Sequence, residues 1–548
     1  MMKSPLDMFY HWEATIPDKI YLRQPINGQW KTWTWKQAGQ EARRMATVIK
    51  AMNLPAESKI ALVSKNCAHW MICDLAIMMS GHVSVPLYPN TTDDTMLQVL
   101  EHSEARLLFV GKLDDWPSME PGVPAGMKCI SFPFCGHPEY DQWYDLIEDV
   151  EPMGENSSRP IDELCTIVYT SGTTGKPKGV MHTFAGFAFA TPNAGKFAGL
   201  GNEERFFSYL PLAHVAERMV VEMGSLYYGA TIFFAESLET FTKNVREAKP
   251  TVFFGVPRIW KKFQSGILEK LPQHKLDFLL RIPVLSSLIK KKIRQGLGLE
   301  SARIILTGAS PMPVELFRWY VRIGIPISEA YGMTENLAYS HLTSPGSRKF
   351  GTLGSGLPGS EWRLGENNEV QVKNPAIMPG YYKEPELTSE MFTPDGFLKT
   401  GDEGLVDEDG DLRIIGRTKD LFKTSKGKYV APSPIEMKIG ACSHIEYCCV
   451  VGAGLHQPIA LVTLSATGRQ LDKKMLGTDL EIMLAELNPA LDAHERIGKI
   501  IAMQEDWSID NGLLTPTLKI KRFEIEKRYS ARFEAWLQNT DLFQIEIP

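Results

Sequence analysis

The sequence is short of several things, and each shortage excludes a class of protein. Cysteine is scarce in the 548 residues: eight, at 67, 73, 129, 135, 165, 442, 448 and 449, with no CxxC pair among them. Zinc ribbons and thioredoxin-like sites need such pairs, and a disulfide scaffold needs a far higher cysteine density. The mostly apolar neighbours of these cysteines predict buried, reduced thiols in a cytosolic setting. Basic excess is missing too: 59 Lys and Arg face 65 Asp and Glu, a net charge of -6. Nothing global therefore draws the chain onto nucleic acid. Long apolar runs are absent. A bilayer span needs ~20 apolar residues, whereas Leu75 to Tyr88 is shorter and carries Ser80, Gly81, His82, Ser84 and Pro86. That segment predicts a buried helix ending near Gly81, followed by a strand. The opening MMKSPLDMFYHWEATIPDK lacks the apolar core and small-residue site of a secretory signal. There is no internal repeat and no low-complexity tract. With 44% hydrophobic and 23% charged residues, 44 Gly and 35 Pro, disordered and collagen-like chains are excluded. The expectation is a soluble, cytoplasmic protein.

At roughly 100–200 residues per domain, the length predicts two to four folding units. Ala42 to Met52 has helical spacing, Lys59 to Val63 reads as a strand and Ala68 to Met79 as a second helix. Val83 to Pro86 and Arg106 to Val110 read as strands again. This alternation predicts an α/β fold of stacked layers with parallel pairing. Thr166–Thr170, Ala230–Phe234, Thr251–Phe254 and Arg303–Leu306 repeat the buried-strand pattern. From about Thr352 the pattern turns to short strands and tight turns, which predicts an antiparallel β lobe. A boundary at Gly416-Arg417-Thr418-Lys419-Asp420 divides a large N-terminal domain, 1–418, from a small α+β domain, 419–548.

The most informative segment is Thr166 to Thr183, TIVYTSGTTGKPKGVMHT. A β run feeds a loop of small hydroxyl residues and glycines: Thr170, Ser171, Gly172, Thr173, Thr174 and Gly175, followed by Lys176 and Lys178. Such residues bring backbone N–H groups close to an anion, and the lysines add mobile positive charge, which suits a polyphosphate. It is not a Walker loop, which has four residues between its glycines and Ser or Thr after its Lys. Here two residues separate Gly172 from Gly175, and Pro177 follows Lys176.

YTSGTTGKPKGV resembles the signature of the adenylate-forming superfamily, which includes acyl-CoA synthetases, luciferases and the adenylation domains of peptide synthetases. Other segments resemble that family's motifs in order, from about Tyr21 to Arg528. Gly308, Ala309 and Ser310 are similar to its adenine-side loop, and Tyr331-Gly332-Met333-Thr334-Glu335 to its YGxTE motif. Thr400-Gly401-Asp402 is similar to its ribose-binding TGD, Lys419 to its hinge, and LLTPTLK, ending at Lys519, to its lysine loop. The resemblance implies that Tyr331 stacks on adenine, Thr334 bonds a phosphate, and Glu335 holds Mg²⁺, a hard cation that prefers carboxylate oxygen. It implies that Asp402 accepts the ribose hydroxyls and that Arg417 pairs with ribose or phosphate. Calcium at DEDGDL fails, because the first and twelfth loop positions would be Leu405 and Gly416; Asp409-Gly410 is a hairpin turn instead.

The implied reaction has two halves. A fatty carboxylate attacks the α-phosphate of Mg-ATP, giving acyl-AMP and pyrophosphate; the thiol of CoA then attacks the acyl carbonyl and releases AMP. Lys519 would bridge the two anions that meet in the first half. Where the family commonly has Ser-Gly-Lys, this chain has Thr-Leu-Lys, so Lys521 stands as an alternative to Lys519. Rotation about Lys419 would withdraw Lys519 and bring in the loop around Gly427, which has no side chain to obstruct a thiol tunnel. His214, in FFSYLPLAHVAERM, is either a packed histidine or a residue lining the acyl pocket. KPTVFFGVPRIWKKF and VSVPLYPN resemble the long-chain and very-long-chain, bubblegum-type synthetases. Two alternatives keep the phosphate loop: acyl transfer to a carrier-protein thiol or other acceptor, and nucleotide binding without catalysis. Leu276 to Leu297 mixes apolar residues with Arg281, Lys290, Lys291, Lys292 and Arg294. It reads as an ordinary surface helix broken at Pro283, or as a basic amphipathic stretch resting on an anionic membrane.

Overall fold

The structure is a computed structural model that describes residues 2–171, 176–347, 349–538 and 541–546. It has two domains, a larger N-terminal α/β domain and a smaller C-terminal α+β domain.

Two large sheets form the N-terminal domain. In the first, Lys59–Val63 lies between Val83–Leu87 and Leu107–Val110, parallel to both. Leu164–Ser171 joins parallel to Val83–Leu87, and Pro177–Thr183 returns antiparallel beside it. In the second, Ser328–Tyr331, Ile304–Thr307, Val252–Phe254, Arg205–Ser208, Thr231–Phe234 and Ile20–Ile26 run parallel in that spatial order. Parallel sheets need cover on both faces, hence their near-continuous apolar strands. Helix Ala68–Met79 is buried on every side, as its unbroken apolar sequence requires. Its single acid, Asp74, is paired at 2.6 Å with the fully buried Arg218.

The sequence reading and the structure differ in places. The helix expected over Ala42–Met52 begins at Trp35, because Thr34 and Gln37 form a reciprocal cap that starts it two turns earlier. Six of the eight free cysteines are buried as expected; Cys135 and Cys442 are only half-buried. The expected antiparallel lobe is present: Glu361–Leu364, Glu369–Lys373, Leu398–Val406 and Leu412–Arg417 form a four-stranded meander. At its last hairpin the Gly410 N–H donates to Asp407 O, with Gly410 at φ +84°.

The stretch Leu276–Leu297 is two helices, Gln273–Arg281 and Pro283–Leu297. Pro283 occupies the first turn of the second, where its missing N–H costs nothing. Inner residues such as Leu276 and Ile293 pack beneath the second sheet. Phe278, Val284 and Leu288 face outward, 63%, 72% and 52% exposed. No helix among the described residues is long and apolar enough to cross a membrane.

In the C-terminal domain, Ile445–Val451, Ile459–Leu464, Lys499–Met503 and Phe543–Ile545 form a mixed sheet. Helix Lys473–Leu487 covers one face and helix Arg522–Tyr529 the other.

Candidate active site

The carboxyl ends of parallel strands are where an α/β sheet leaves a crevice. Here those ends open into one cavity of about 2340 Å³. Strand Leu164–Ser171 delivers Thr170 to its edge, and the register places Thr170 opposite Lys178 on the return strand. Gly172, Thr173, Thr174 and Gly175 lie outside the described residues, as does the side chain of Ser171. The base of the strand is fixed by charge. Arg218 Nη1 donates to the Thr166 hydroxyl at 2.8 Å, and Nη2 to Asp74 at 2.6 Å. Removing one member of such a buried pair costs roughly 3–5 kcal/mol.

Strand Ile304–Thr307 runs into Gly308, Ala309 and Ser310, and strand Ser328–Tyr331 into Gly332; all line the cavity. A Cβ on Gly308 would lie 2.9 Å from Ala330 O, and one on Gly332 would lie 2.5 Å from the Ala338 backbone. Both glycines are therefore demanded by close backbone approach. The Tyr331 hydroxyl donates to Asp402 Oδ2 at 2.7 Å. Asp402 Oδ1 stands 3.3 Å from Arg417 Nε, its cross-strand partner in the register. Burial raises the Asp402 pKa, while Arg417, Tyr331 and Lys519 pull it back.

Thr334 and Glu335 begin a single turn of 3₁₀ helix at the cavity wall. Glu335 Oε1 accepts from the Tyr381 hydroxyl at 2.7 Å, and Lys178 Nζ lies 5.5 Å from the Tyr381 ring centroid. The buried Glu335 thus lines the same cavity as Thr170 and Lys178. A lone protein carboxylate suits Mg²⁺, which is usually completed by water and substrate phosphates rather than by a protein cage. No cluster of three or more metal-ligating side chains occurs among the described residues. Mg²⁺ there would neutralise phosphate charge.

Lys519 also lines the cavity, on a tight loop whose turn puts Leu518 at φ +60°. Its own N–H is held by the Thr515 hydroxyl at 3.0 Å. The side chain keeps solvent contact because the cleft is open, yet protein walls surround it. That enclosure, with Arg417 nearby, lowers its pKa to about 8, against the pull of Asp402 and Glu335. Burial, with Lys519 adding to it, lowers the His214 pKa to about 3, so the imidazole is neutral. His214 Nδ1 accepts the Ala216 N–H at 3.1 Å, which leaves Nε2 as the protonated nitrogen. Lys521 lines the same cavity and precedes helix Arg522–Tyr529. Lys419 lies in the turn Thr418–Asp420 at the cavity edge. Gly427 lies elsewhere, in the exposed hairpin between Phe422–Lys423 and Tyr429–Val430, at φ +75°.

A second wall is apolar. Ala194 and Ala198 of helix Phe184–Ala198 face Met219 and Val220, which stand on a wide π-turn, Arg218–Met223. Phe206 and Gly224 continue this wall.

Two cavity groups carry no motif in the sequence. Tyr381 couples Glu335 to Lys178. Glu329 is buried close to the loop after strand Ile304–Thr307, where its Oε1 accepts the Met312 N–H at 3.1 Å. Burial raises its pKa to about 7, against that hydrogen bond.

Residues 9–382 match the AMP-binding enzyme family, and residues 419–541 match the AMP-binding enzyme C-terminal domain. The chain belongs to the AMP-binding enzymes. Members of this family form adenylates. The long-chain-fatty-acid–CoA ligase FadD15 of Mycobacterium bovis is 28% identical over 96% of each chain. The long-chain-fatty-acid–CoA ligase ACSBG2 of Gallus gallus is 25% identical over 96% of this chain and 80% of its own. In fold, the chain resembles the anthranilate CoA ligase AuaEII solved with anthranoyl-AMP, with a TM-score of 0.80, 21% identity and 98% of both chains covered. It also resembles the A domain of a carboxylic acid reductase from Segniliparus rugosus, with a TM-score of 0.79, 21% identity, and 98% and 94% covered.

Proposed function

We propose that this protein is an AMP-forming ligase that joins a long-chain fatty acid to coenzyme A through an acyl-AMP intermediate, in the bubblegum-type branch. The observation that carries this reading is the single cavity in which a cationic, carboxylate-bearing wall adjoins an apolar one. A fatty acid needs both, one for its carboxylate and one for its chain. The names of the curated relatives point the same way.

In this reading ATP lies along the strand ends, with its ribose toward Asp402 and Arg417 and its phosphates toward Thr170, Lys178 and Thr334. Glu335, steadied by Tyr381, holds Mg²⁺. A carboxylate oxygen of the fatty acid attacks the α-phosphorus and the bond to pyrophosphate breaks. Lys519 stands between two anions that would otherwise repel, and stabilises charge that develops in the transition state. Catalysis is positioning and charge rather than covalent attack by the protein. The thiol of CoA then attacks the acyl carbonyl carbon, its proton is lost, and AMP leaves. Lys519 inside the cavity and the Gly427 hairpin outside it fit the adenylating arrangement. Rotation about Lys419 would exchange them.

This reading includes peripheral contact with an anionic lipid surface. Phe278, Val284 and Leu288 project outward, and on the same two helices Lys275, Arg281, Lys291 and Lys292 are exposed, while the half-exposed Asp277 is paired with Arg322. That is the composition of an interfacial rather than a spanning element.

The test is AMP formation from ATP over short, medium and long fatty acids, with and without CoA. CoA-dependent turnover confined to long chains is the expected result. Chain-dependent pyrophosphate exchange without CoA-driven turnover would move the acceptor to a carrier-protein thiol.

A further inference from the structure

Two cations on one helix of the large domain grip the small domain at the rim of the cavity. Helix Pro257–Lys270 follows strand Val252–Phe254 directly, with Pro257 in its first turn. Arg258 and Lys261 are three residues apart and so share a face. Arg258 Nη1 donates to the Tyr447 hydroxyl at 2.7 Å, and Nη2 pairs with Glu446. The guanidinium carbon lies 5.1 Å from the Tyr447 ring centroid. Lys261 Nζ donates to three carbonyls, Gly440 at 2.5 Å, Cys442 at 2.9 Å and Ile445 at 3.1 Å. An ammonium has three donors, and all are used. The acceptors lie at and just beyond the end of helix Pro432–Gly440, where carbonyls lack helical partners and the helix dipole is negative. A third contact touches the lysine loop itself: Asn90 Nδ2 donates to Pro516 O at 3.1 Å.

We propose that Arg258 and Lys261 are positioning residues for the adenylation half-reaction, a polar latch that holds the small domain with Lys519 inside the cavity. The inference rests on the two-step reading above. Neither side chain lines the cavity, although their partners Gly440, Glu446 and Tyr447 do; an effect on adenylation therefore acts through the placement of the small domain that carries Lys519. The chemistry suits a contact that must open in every cycle. Separated charges and carbonyls regain hydrogen bonds from water, whereas opening an apolar seam would expose its surface to water. Lys261 caps a helix end only while the domains are docked as seen here. In a rotated arrangement those carbonyls would pass to water.

The experiment separates the two halves. Fatty-acid-dependent ATP–pyrophosphate exchange reads adenylation, and acyl-CoA formation from supplied acyl-AMP reads the second half. In Lys261→Met the exchange rate is expected to fall at least tenfold, while thioester formation from acyl-AMP stays equal or rises. Lys261→Arg, which keeps charge and donors, should recover part of the exchange. Arg258→Ala, at a half-exposed side chain with little folding risk, should lower exchange several-fold in the same selective way. Equal losses in both halves, or unchanged exchange in both variants, would overturn the latch. Wild-type protein that makes no acyl-CoA from acyl-AMP would overturn the CoA reading instead. Exchange in the variants would still judge the latch.

Discussion

The Tyr331 hydroxyl donates to Asp402 Oδ2 at 2.7 Å, across a gap of 71 residues in sequence. With Arg417 on the other oxygen, the carboxylate is oriented before any nucleotide arrives, and each oxygen keeps a lone pair for a ribose hydroxyl. Tyr331→Phe retains the ring and removes this one bond to a charged group, an interaction worth about 1.5–3 kcal/mol. The KM for ATP should rise roughly tenfold or more, and Asp402→Ala should raise it further. Steady-state kinetics with varied ATP checks both. An unchanged KM in Tyr331→Phe would mean that Asp402 needs no such anchor.

In the role proposed for it, Lys519 serves adenylation only while charged. With its pKa lowered to about 8 by enclosure and Arg417, the charged form predominates below that pH and is lost above it. The pH profile of kcat/KM for adenylation should therefore fall on the alkaline side near pH 8, whereas an ordinary lysine would hold its charge well into the alkaline range. Lys519→Arg should remove this limb whatever its effect on the maximum rate. A limb that persists in Lys519→Arg belongs to another group.

The strands and helices that position the site were legible because each is a short run of buried apolar residues closed by a turn. Lys59–Val63 and Ala68–Met79 carry the same bounds in sequence and structure. The residues that line the cavity were legible where they sit in contiguous motifs. Residues whose role depends on a distant partner were not. Tyr381 meets Glu335 across 46 positions, and Lys261 meets Gly440 across 179. Nothing in GYY or in IWKKF encodes those pairings. The sequence pattern does not separate Lys519 from Lys521, because the residue before Lys519 is leucine rather than glycine. Leu518 nonetheless adopts the left-handed conformation that glycine takes readily, at φ +60°. Backbone geometry is thus kept where the sequence pattern is not. The break at Pro283 was legible in the basic stretch after Leu276, because proline lacks the N–H that a continuing helix needs; it starts a second helix there.

Glu329 offers a stability test independent of catalysis. Its pKa rises from the usual 4.5 to about 7 through burial. Between those values the folded protein holds a proton that the unfolded chain has lost. Stability therefore falls as pH rises from about 4.5 to about 7, by no more than about 3 kcal/mol for this group. Glu329→Gln, which keeps the oxygen that accepts the Met312 N–H, should flatten that part of the profile. Urea unfolding at several pH values reads it. Parallel profiles for the two proteins would show that Glu329 is ionised in the folded state across the whole range.

The outward face of helices Gln273–Arg281 and Pro283–Leu297 makes a prediction about location. Phe278, Val284 and Leu288 are separated by few residues, while their helices are anchored beneath the second sheet by Leu276 and Ile293. Changing the exposed three to serine should therefore leave folding nearly unaffected. Charge supplies selectivity: Lys275, Arg281, Lys291 and Lys292 favour an anionic bilayer by roughly 1 kcal/mol each near the surface, and salt screens that attraction. Purified protein should float with vesicles of phosphatidylcholine and phosphatidylglycerol, float less with phosphatidylcholine alone, and release at high salt. Phe278→Ser/Val284→Ser/Leu288→Ser should lose flotation while keeping its melting temperature within a few degrees and its AMP-forming activity on dispersed fatty acid. Equal flotation of the triple variant would move lipid contact elsewhere on the surface. A shift from dimer to monomer in the variant, with no vesicle binding by either protein, would assign the face to a second copy of the chain.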